Sequence, residues 1–367
     1  MKWSPEQDAA LSAASKWLNG SRESQVFRLF GFAGTGKTTL ARHLAEHVDG
    51  EVVFGAFTGK AAYVLRQKGC EGAQTIHSLI YRPATTDDEE PGEEGPQFTI
   101  RRDAPAGEAA LIIIDECSMV DEELGRDLLS FGAPVLVLGD PAQLPPVKGG
   151  GYFTDAEPDV MLTEVHRQAA DNPIIQLSMQ IREGEIPPAG DYGAAKIVSK
   201  QALDPDTVMD ADQVLVGTNR TRARYNQRLR ERLGFDGQEP WVGERLVCLR
   251  NNKQKGLLNG GLWTVKSRHG KKRGKIRLDL IPEDGGRTTR VGVLPEFFEG
   301  TAADLPWPKR RNSDEFDFGY ALTVHKAQGS QWDDVVLFDE SYAFREDRLK
   351  WLYTGVTRAA ERLTVVR

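Results

Sequence analysis

The amino-acid sequence predicts an α/β protein built on two doubly wound parallel sheets. Short, wholly apolar runs such as ALIIIDE suit strands that are buried on both faces, and helical segments alternate with such runs in two separate stretches. The 367 residues are enough for two or three domains. We therefore expect a first lobe over residues 1–80 and 108–158, a second lobe over residues 159–237 and 314–367, and insertions at 81–107 and 238–313.

The first lobe is predicted to open with a helix, because Ser4 can cap it, Pro5 suits its first turn and Gln7 stands three residues after the cap. The alternation that follows is strand VFRLF, a glycine loop, helix TTLARHL, strand EVVFGAF, helix GKAAYVLRQKG and strands ALIIIDE and APVLVLGD. The pattern breaks within residues 81–107, where residues 97–102 are the expected return strand of a short hairpin.

The second lobe is predicted to begin near Asp159 and to repeat the alternation. Its segments are helix NPIIQLSMQIREG, strand QVLVGT, helix TRARYNQRLRERLG, the run ALTVHKAQG, strand DDVVLF, helix DRLKWLYTGVTRA and strand RLTVVR. Residues 238–313 differ, because short strand-like runs are separated there by Gly, Asn and basic turns: ERLVCLRNN, GLWTVKSR, KIRLDLIP and TTRVGVLP. This texture predicts a small β-barrel inserted in the second lobe.

Composition excludes several classes of protein. The sequence has no run near the ~18 apolar residues of a membrane span and no apolar signal-peptide core at its start, so we expect a cytoplasmic protein without membrane contacts. Cys70, Cys117 and Cys248 are far apart, which argues against a zinc site or a disulfide framework. The net charge of −7 argues against a protein that coats DNA, but it leaves room for a local basic track.

A phosphate-binding loop is the first motif that carries chemistry. Residues 31–38, GFAGTGKT, match G-x-x-x-x-G-K-[ST] and stand between a predicted strand and a predicted helix, which is the context the motif requires. The loop amides can surround the phosphates of ATP, Lys37 can reach the β and γ phosphates, and Thr38 can bind Mg²⁺. The expected ATP contacts of this segment are Gly31, Ala33, Gly34, Thr35, Gly36, Lys37, Thr38 and Thr39.

An acid pair ends the predicted strand at residues 111–114. An acid at the carboxyl end of a parallel strand beside a phosphate loop can hold Mg²⁺, so Asp115 is the expected metal-site partner of Thr38. Glu116 can activate the attacking water as a general base. Without the phosphate loop, the same pair would be assigned to the start of a helix.

Three further residues are candidates for the same site. Gln143, in LGDPAQLPP at the end of another strand, can sense the γ phosphate or can simply belong to a proline-rich loop. Arg167 in LTEVHRQ and Arg358 in YTGVTRA can neutralise charge that develops during hydrolysis, or can be ordinary surface or ion-paired arginines. Both arginines fall in the second lobe, so a shared site would lie between the lobes, and ATP would close the cleft.

Taken in order, these motifs resemble those of superfamily 1 helicases of the RecD/Dda branch. They are GFAGTGKTT, FTGKAA, TIHSLI, IIIDE, GDPAQLPP, LTEVHRQ, TVHKAQGSQWDDV and YTGVTRA, and the resemblance runs from Gln7 to the last residue. It implies two RecA-like P-loop NTPase lobes, a strand-separating pin at 81–107 and an SH3-like barrel at 238–313. Coverage is weakest at 78–110 and 238–313.

The resemblance also implies roles for single residues. Gln7 would contact adenine, Gln143 would couple the γ phosphate to DNA contacts, and the two arginines would be arginine fingers. Gln328 and Gly329 would lie near the γ phosphate. DNA contacts would come from residues whose hydroxyls, amides and cations suit phosphate oxygens: Thr58, Gly59, Lys60, Thr75, His77, Thr218, Asn219, Thr323 and His325.

The two insertions leave alternatives open. Phe98, on the return strand of the hairpin, is the candidate for stacking on the splitting base pair, whereas the acidic run at 87–94 suits a solvated loop. The barrel turn HGKKRGK carries four basic residues that suit either DNA contact or plain solvation: Lys271, Lys272, Arg273 and Lys275.

The sequence as a whole indicates a monomeric, ATP- and Mg²⁺-dependent DNA helicase that acts on single-stranded DNA and on its junctions with duplex. The 5′→3′ direction is implied by the resemblance alone. With no further domain before Gln7, we expect a stand-alone motor. A DNA-stimulated ATPase, translocase or loader that does not unwind is the main alternative, and a small-molecule kinase, which needs only one such lobe, is a weaker one. Protein partners in replication or repair are left open by the sequence.

Overall fold

The computed structural model describes residues 3–20, 24–83, 98–146, 149–164 and 171–367. Within these ranges the backbone forms two six-stranded sheets, one five-stranded sheet and one two-stranded hairpin. Each six-stranded sheet has helices on both faces, as a doubly wound α/β fold requires. Among the described residues, no helix has the length and apolarity needed to span a bilayer.

The first sheet is parallel throughout. Its strands, in spatial order, are Gln74–Thr75, Val52–Ala56, Leu111–Asp115, Val135–Gly139, Val26–Gly31 and Val160–Leu162. One face packs against helices Pro5–Asn19, Lys37–Ala45 and Gly59–Gln67, and the other against helices Ile76–Ile80 and Glu122–Leu129. Successive residues of a central strand alternate between the two cores, which explains why the strand sequences are apolar throughout.

One strand of this sheet departs from the expected lobe boundary. Val160–Leu162 pairs in parallel with the strand that precedes the phosphate loop, so it belongs to the first sheet and not to the start of the second lobe. Leu162 is fully buried, and its Cβ lies where a side chain on Gly31 would stand. The strand has three residues, which is too short for a periodicity to reveal it.

The second sheet has five parallel strands and one antiparallel edge strand. Its order is Ala321–Thr323, Gln213–Val216, Trp332–Phe338, Ala359–Val366, Ala195–Val198 and the antiparallel Gly190–Asp191. Helices Pro173–Arg182 and Arg348–Val356 cover one face, and helices Pro205–Asp210 and Asn219–Arg232 cover the other. The four-residue helix Val324–Ala327 follows the first edge strand directly.

The five-stranded sheet is antiparallel and lies between helix Asn219–Arg232 and strand Ala321–Thr323 in sequence. Its order is Thr289–Val293, Lys275–Pro282, Leu262–Lys272, Arg245–Cys248 and Phe316–Phe318. Helix Glu296–Glu299 adds Phe297 and Phe298 to its core, and helix Trp307–Arg311 leads into its last strand. That last strand lies beyond residue 313, where the sequence predicts the second lobe.

The hairpin pairs Tyr81–Pro83 with Phe98–Ile100 in antiparallel register, so the expected return strand is present. The acidic run at 87–94 lies outside the described residues. Short 3₁₀ turns connect several elements: Pro105–Gly107, Cys117–Met119, Lys253–Lys255, Ala302–Asp304 and Ser341–Asp347.

A buried ion pair joins the second sheet to the five-stranded sheet. Arg230, in helix Asn219–Arg232, donates from Nε and Nη2 to the two carboxylate oxygens of Glu244 at 2.6 and 2.9 Å, and both side chains are almost fully buried. The remaining Arg230 donor contacts are the carbonyls of Gly237 and Glu239. The pair fixes where the chain enters the five-stranded sheet.

We expect Glu244→Ala to lower the free energy of unfolding by about 3–5 kcal/mol, because it leaves the Arg230 charge buried without its partner. Urea denaturation measures the change. The control is Glu122→Ala, which breaks a pair with Arg126 whose two side chains are 66% and 69% exposed; its loss should cost under about 1 kcal/mol. Equal losses for the two variants would contradict this reasoning.

Candidate nucleotide site between the lobes

The phosphate loop has the backbone that its glycines allow. Gly34 and Gly36 have φ of 81° and 84°, which side chains with a Cβ rarely adopt. A Cβ on Gly31 would lie 2.7 Å from both Leu162 Cβ and Thr35 Oγ1, so this position is closed to larger residues. The loop ends where helix Lys37–Ala45 begins, and the free amides of that first turn face the same space.

Lys37, Thr38 and Asp115 come together at the end of this loop. Lys37 Nζ donates to the carbonyls of Gly31 and Phe32 at 2.5 and 3.0 Å, so the ammonium lies across the loop. Thr38 Oγ1 donates to Asp115 Oδ2 at 2.9 Å. A hydroxyl and a carboxylate at this spacing are oxygen ligands of the kind that Mg²⁺ prefers, and the two residues therefore fit the expected ion.

Glu116 follows Asp115 in a strained conformation. Its φ of 54° and ψ of 45° lie in the left-handed region, which is uncommon for a residue with a Cβ and is often found at functional sites. Burial raises the pKa of this carboxyl, Asp115 raises it further, and the Arg358 guanidinium lowers it. A carboxylate with a raised pKa is a better proton acceptor, which suits the general base that the sequence predicts.

Gln7 satisfies the helix cap and touches the loop at the same time. Its Oε1 accepts from Ser4 N–H at 3.1 Å, as the capping-box interpretation predicts, while its Nε2 donates to the Thr35 carbonyl at 3.1 Å. The side chain is 3% exposed. The capping role is therefore observed, and the adenine contact stays a prediction.

Arg358 reaches the site from the second lobe. Its guanidinium donates to the Thr354 and Ser330 carbonyls and to Thr357 Oγ1 at 3.0–3.1 Å, and its charge lowers the pKa of Glu116 in the first lobe. It forms no ion pair with a carboxylate of the described ranges. The acceptors of the buried Arg358 guanidinium are all uncharged, so its positive charge remains available to an anion. Arg167 lies outside the described residues.

Residues 140–144 connect the first sheet to the second lobe. Leu144 is buried in the core of the second lobe. Its N–H donates to Thr354 Oγ1 at 3.0 Å, and its carbonyl accepts from Gln328 Nε2 at 2.9 Å. The neighbouring Gln143 is 7% exposed, and its buried Oε1 has no hydrogen-bond partner. An unsatisfied amide oxygen beside this junction suits a residue that responds to a bound ligand.

Tyr353 is a site residue that the sequence analysis missed. It lies in helix Arg348–Val356 of the second lobe, and its hydroxyl donates to Asp140 Oδ2 at 2.6 Å and accepts from the loop amide of Ala33 at 3.2 Å. Burial and the Asp140 charge raise the pKa of this hydroxyl, so it stays a donor. Its position five residues before Arg358, in YTGVTRA, was the available signal.

Arg182 is a second missed residue. It ends helix Pro173–Arg182 of the second lobe, and its guanidinium lies 3.6 Å from the centre of the Phe32 ring in the phosphate loop. A cation at this distance from an aromatic face is attracted to it. The second lobe therefore brings two described arginines, Arg182 and Arg358, to the loop and its acids.

Gly329 contacts the first lobe through Ala61. A Cβ there would lie 2.9 Å from Ala61 Cβ and 3.6 Å from Thr58 Oγ1, so the residue packs on helix Gly59–Gln67 and its cap. Its φ of 74° turns the chain after the short helix Val324–Ala327 toward that contact. Gln328 does reach the Leu144 segment, so the two adjacent residues serve different surfaces of the first lobe.

Four of the expected DNA-binding threonines form two matched pairs. Each caps the helix that follows an edge or next-to-edge strand: Thr58, Thr75, Thr218 and Thr323. Thr75 is the register partner of Ala56, two residues before Thr58, and Thr323 is the partner of Val216, two residues before Thr218. Each lobe thus places its two threonines at the carboxyl ends of two strands at one edge of its sheet. Thr75 and Thr323 are buried there, at 7% and 6% exposure.

The neighbours of these threonines differ from what the sequence predicts in two respects. Lys60 is paired with Asp284 of the five-stranded sheet, and a Cβ on Gly59 would meet Asn251 Oδ1 at 2.8 Å, so this segment packs against that sheet.

At Thr218, the backbone N–H donates to Glu340 Oε2 at 3.2 Å. Glu340 stands in a loop after a strand, where no sequence pattern marks it. Asn219 is exposed, and the His325 ring lies 5.5 Å from that of Phe344.

Phe98 lies in an exposed aromatic cluster on the hairpin. Its side chain is 49% exposed, and its ring centre lies 6.1 Å from that of Tyr81 and 6.2 Å from that of His77. Tyr81 is held by a hydrogen bond from its hydroxyl to Asp127 at 2.5 Å. The structure therefore brings His77 and Phe98 together, although they are twenty-one residues apart in sequence.

Two α/β lobes that share one phosphate-binding site define a P-loop NTPase with a cleft between its lobes. Residues 2–201 match a family model described as "AAA domain", and residues 318–366 match one described as "UvrD-like helicase C-terminal domain". The first model covers more than half of the residues, so the chain belongs to the AAA-domain family that this model describes.

Individual relatives agree with this assignment. The chain is 31% identical to an ATP-dependent RecD2 DNA helicase of Deinococcus radiodurans, over 91% of this chain and 46% of the relative. It is similar to a Pif1 helicase structure described as unwinding forked duplex DNA, with a TM-score of 0.62, 20% identity and coverage of 100% and 92%. A Bacteroides Pif1 complex with ADP-AlF3 and single-stranded DNA gives a TM-score of 0.59 at 19% identity, with the same coverage. The chain spans less than half the length of the curated relatives it matches first.

We expect Tyr353→Phe to lower the DNA-stimulated kcat for ATP about tenfold without raising KM, because one hydrogen bond to a carboxylate is lost while the Ala33 amide is freed. Steady-state ATP hydrolysis measures both constants. The control is Tyr192→Phe, whose hydroxyl contacts the Pro188 carbonyl at the far edge of the second sheet. A raised KM with unchanged kcat would contradict the assignment.

We expect ATP hydrolysis to fall as pH falls, with a midpoint above the ordinary glutamate pKa of about 4.3, because the raised pKa of Glu116 makes it protonate sooner. The measurement is kcat against pH, with circular dichroism to show that the chain stays folded. Glu116→Gln should be inactive at every pH. An unchanged rate in that variant would remove Glu116 from the mechanism.

Proposed function

We propose that the chain is an ATP- and Mg²⁺-dependent DNA helicase that moves along single-stranded DNA. The observation that carries this proposal is that the second lobe meets the phosphate loop of the first: the Tyr353 hydroxyl contacts the Ala33 amide and Asp140. The proposed nucleotide site therefore draws its loop and acids from the first lobe, and Arg358 and Tyr353 from the second. A site of this kind changes the relation of the lobes when its ligand changes. The named helicases among the relatives support the same function.

In the proposed reaction, Lys37 leaves the loop carbonyls and binds the β and γ phosphates, and Glu116 accepts a proton from the attacking water. Thr38 and Asp115 would hold Mg²⁺, which neutralises phosphate charge. Arg358 stabilises the charge of the transition state, an effect that is worth about 10³–10⁵ in rate in related phosphoryl transfers. Arg167 is proposed as the second arginine finger and Gln7 as the adenine contact, on resemblance alone.

The proposed coupling runs through residues 140–144. Gln143 responds to the γ phosphate, and the adjacent Leu144 is bonded on both sides to the second lobe. Loss of the γ phosphate would therefore act on Gln328 and Thr354, the two side chains that bond the backbone of Leu144. Gln328 in turn follows helix Val324–Ala327, whose cap is Thr323 on the proposed DNA surface.

The proposed DNA surface runs over the two sheet edges, one in each lobe, that carry the four threonines. Their hydroxyls suit phosphate oxygens, which fix position without reading sequence. Beside the edge in the first lobe, a cleft of about 710 Å³ lies between helix Gly59–Gln67 and the five-stranded sheet. Six basic residues line it: Lys60, Arg66, Lys253, Lys255, Arg287 and Arg290. Lys60, Lys255 and Arg290 are paired with Asp284, Asp314 and Asp279, so Arg66, Lys253 and Arg287 are the cations proposed to offset the net charge of −7 where the polyanion would run.

The finer architecture is part of the same proposal. The five-stranded sheet would be the SH3-like barrel of this branch, and the hairpin would be the pin, with Phe98 stacking on the base pair that separates. The exposure of Phe98 and its two aromatic neighbours support this assignment. We propose that the protein acts as a monomer, on single strands and on their junctions with duplex, in the 5′→3′ direction.

The test uses two partial duplexes, one with a 5′ and one with a 3′ single-stranded tail, and follows strand separation with ATP and Mg²⁺. We expect separation of the 5′-tailed duplex only, and none with Lys37→Ala, which cannot bind the β and γ phosphates. Separation of only the 3′-tailed duplex would overturn the direction. DNA-stimulated hydrolysis without separation would favour the translocase or loader, and hydrolysis that ignores DNA would overturn the helicase.

A further inference from the structure

The far end of helix Lys37–Ala45 carries two histidines and a glutamate that the nucleotide site does not use. His43 stands in the last turn, Glu46 is the residue that ends the helix, and His47 follows. His47 N–H still donates to the Leu44 carbonyl at 3.0 Å, so the chain continues to turn past the helix end. The three side chains, at spacings of three and four residues, therefore project from one side.

The distances among these side chains match a metal coordination shell. His43 Nδ1 lies 3.4 Å from Glu46 Oε2, and one ligand atom from each of the three residues lies within 4.8 Å of the others. Two ligands at ~2.1 Å from one tetrahedral ion are about 3.4 Å apart. The first pair thus already has the spacing of two tetrahedral positions, and the ligand atom of His47 lies within 4.8 Å of both.

A hydrogen bond sets the tautomer of His47. Its Nδ1 lies 2.8 Å from the His43 carbonyl oxygen, which only accepts, so Nδ1 carries the proton and Nε2 keeps its lone pair. A backbone carbonyl bound to the other ring nitrogen is the usual support of a metal-binding histidine.

We propose that His43, Glu46 and His47 bind one exchangeable transition-metal ion of the Zn²⁺ class. Two imidazole nitrogens and one carboxylate oxygen suit Zn²⁺, Ni²⁺ or Cu²⁺, whereas Mg²⁺ takes oxygen ligands. The C-terminal end of a helix carries partial negative charge, which favours a cation there.

The proposed ion is distinct from the Mg²⁺ of the nucleotide site. His43 follows Lys37 by six residues, which is about 9 Å of helix rise. Three protein ligands on an exposed surface leave a coordination position for water, so the ion would exchange freely. Its binding would tie together the end of the same helix whose first turn faces the phosphates.

The test is titration of the full chain with Zn²⁺ by calorimetry and with Co²⁺ by visible absorption, both in excess Mg²⁺. We expect one ion per chain, tetrahedral Co²⁺ bands without thiolate charge transfer, and a melting temperature raised by about 3 °C by Zn²⁺ at ten times its Kd. His47→Ala should weaken binding at least about tenfold. His269→Ala is the control, because that histidine contacts Asp279 on another sheet.

His43 and Glu46 side chains are 37% and 58% exposed, so their variants should fold and melt as the metal-free parent does. Glu46→Gln should weaken binding less than His47→Ala, because it removes charge and keeps an oxygen. The proposal is overturned if His47→Ala binds as the parent does, if His43→Ala/His47→Ala retains the ion, or if a thiolate band places the ion at Cys70, Cys117 or Cys248, which are buried.

Discussion

The burial of residues 140–144 in the second lobe is the constraint on which the rest of the site depends. Leu144 follows a strand of the first sheet, yet its side chain is buried in the core of the second lobe. Its backbone N–H and carbonyl both form hydrogen bonds there with side chains of that lobe. A buried backbone group left without a partner costs about 1–3 kcal/mol. This segment of the first lobe is therefore tied to the second lobe, whose Tyr353 also contacts Ala33 of the phosphate loop.

The polar groups around this junction are arranged in advance of any ligand. Neutral acceptors hold the Arg358 guanidinium, a strained backbone holds Glu116, and Gln143 keeps a buried oxygen without a partner. Each of these costs folding free energy, since strain and unsatisfied polar atoms are both unfavourable. Such costs are typical of sites where charge has to be stabilised without rearrangement.

Much of the fold and of the first-lobe chemistry follows from local sequence, because those features are local. The phosphate loop, the acid pair and the capping box each lie within a few residues of the chain, and their geometry needs little from elsewhere. Strand Val160–Leu162 could not be placed, because its partner Val26–Gly31 lies more than one hundred residues earlier. Tyr353 was missed for the same reason: its hydroxyl matters only through Ala33 and Asp140.

Electrostatic pairing was equally hidden from the sequence. Lys60 has the type and position of a phosphate ligand, yet its ammonium forms an ion pair with Asp284, which lies more than two hundred residues later in the sequence. Gly329 packs on Ala61 through a left-handed turn that residue type alone did not reveal, and its expected place near the γ phosphate stays a prediction. Residue type predicts what a side chain can bind, whereas only the packed structure decides which partner it has.

The five-stranded sheet leaves and rejoins the second lobe between two neighbouring strands. The chain departs after the helix that follows Gln213–Val216 and returns directly into Ala321–Thr323, its register partner. The whole five-stranded sheet is thus inserted in a single crossover connection. The size of this insertion can change without altering the order of the strands in the second sheet. In evolutionary terms, this crossover is a place where one accessory module can be exchanged for another while the core of the two α/β lobes is inherited intact.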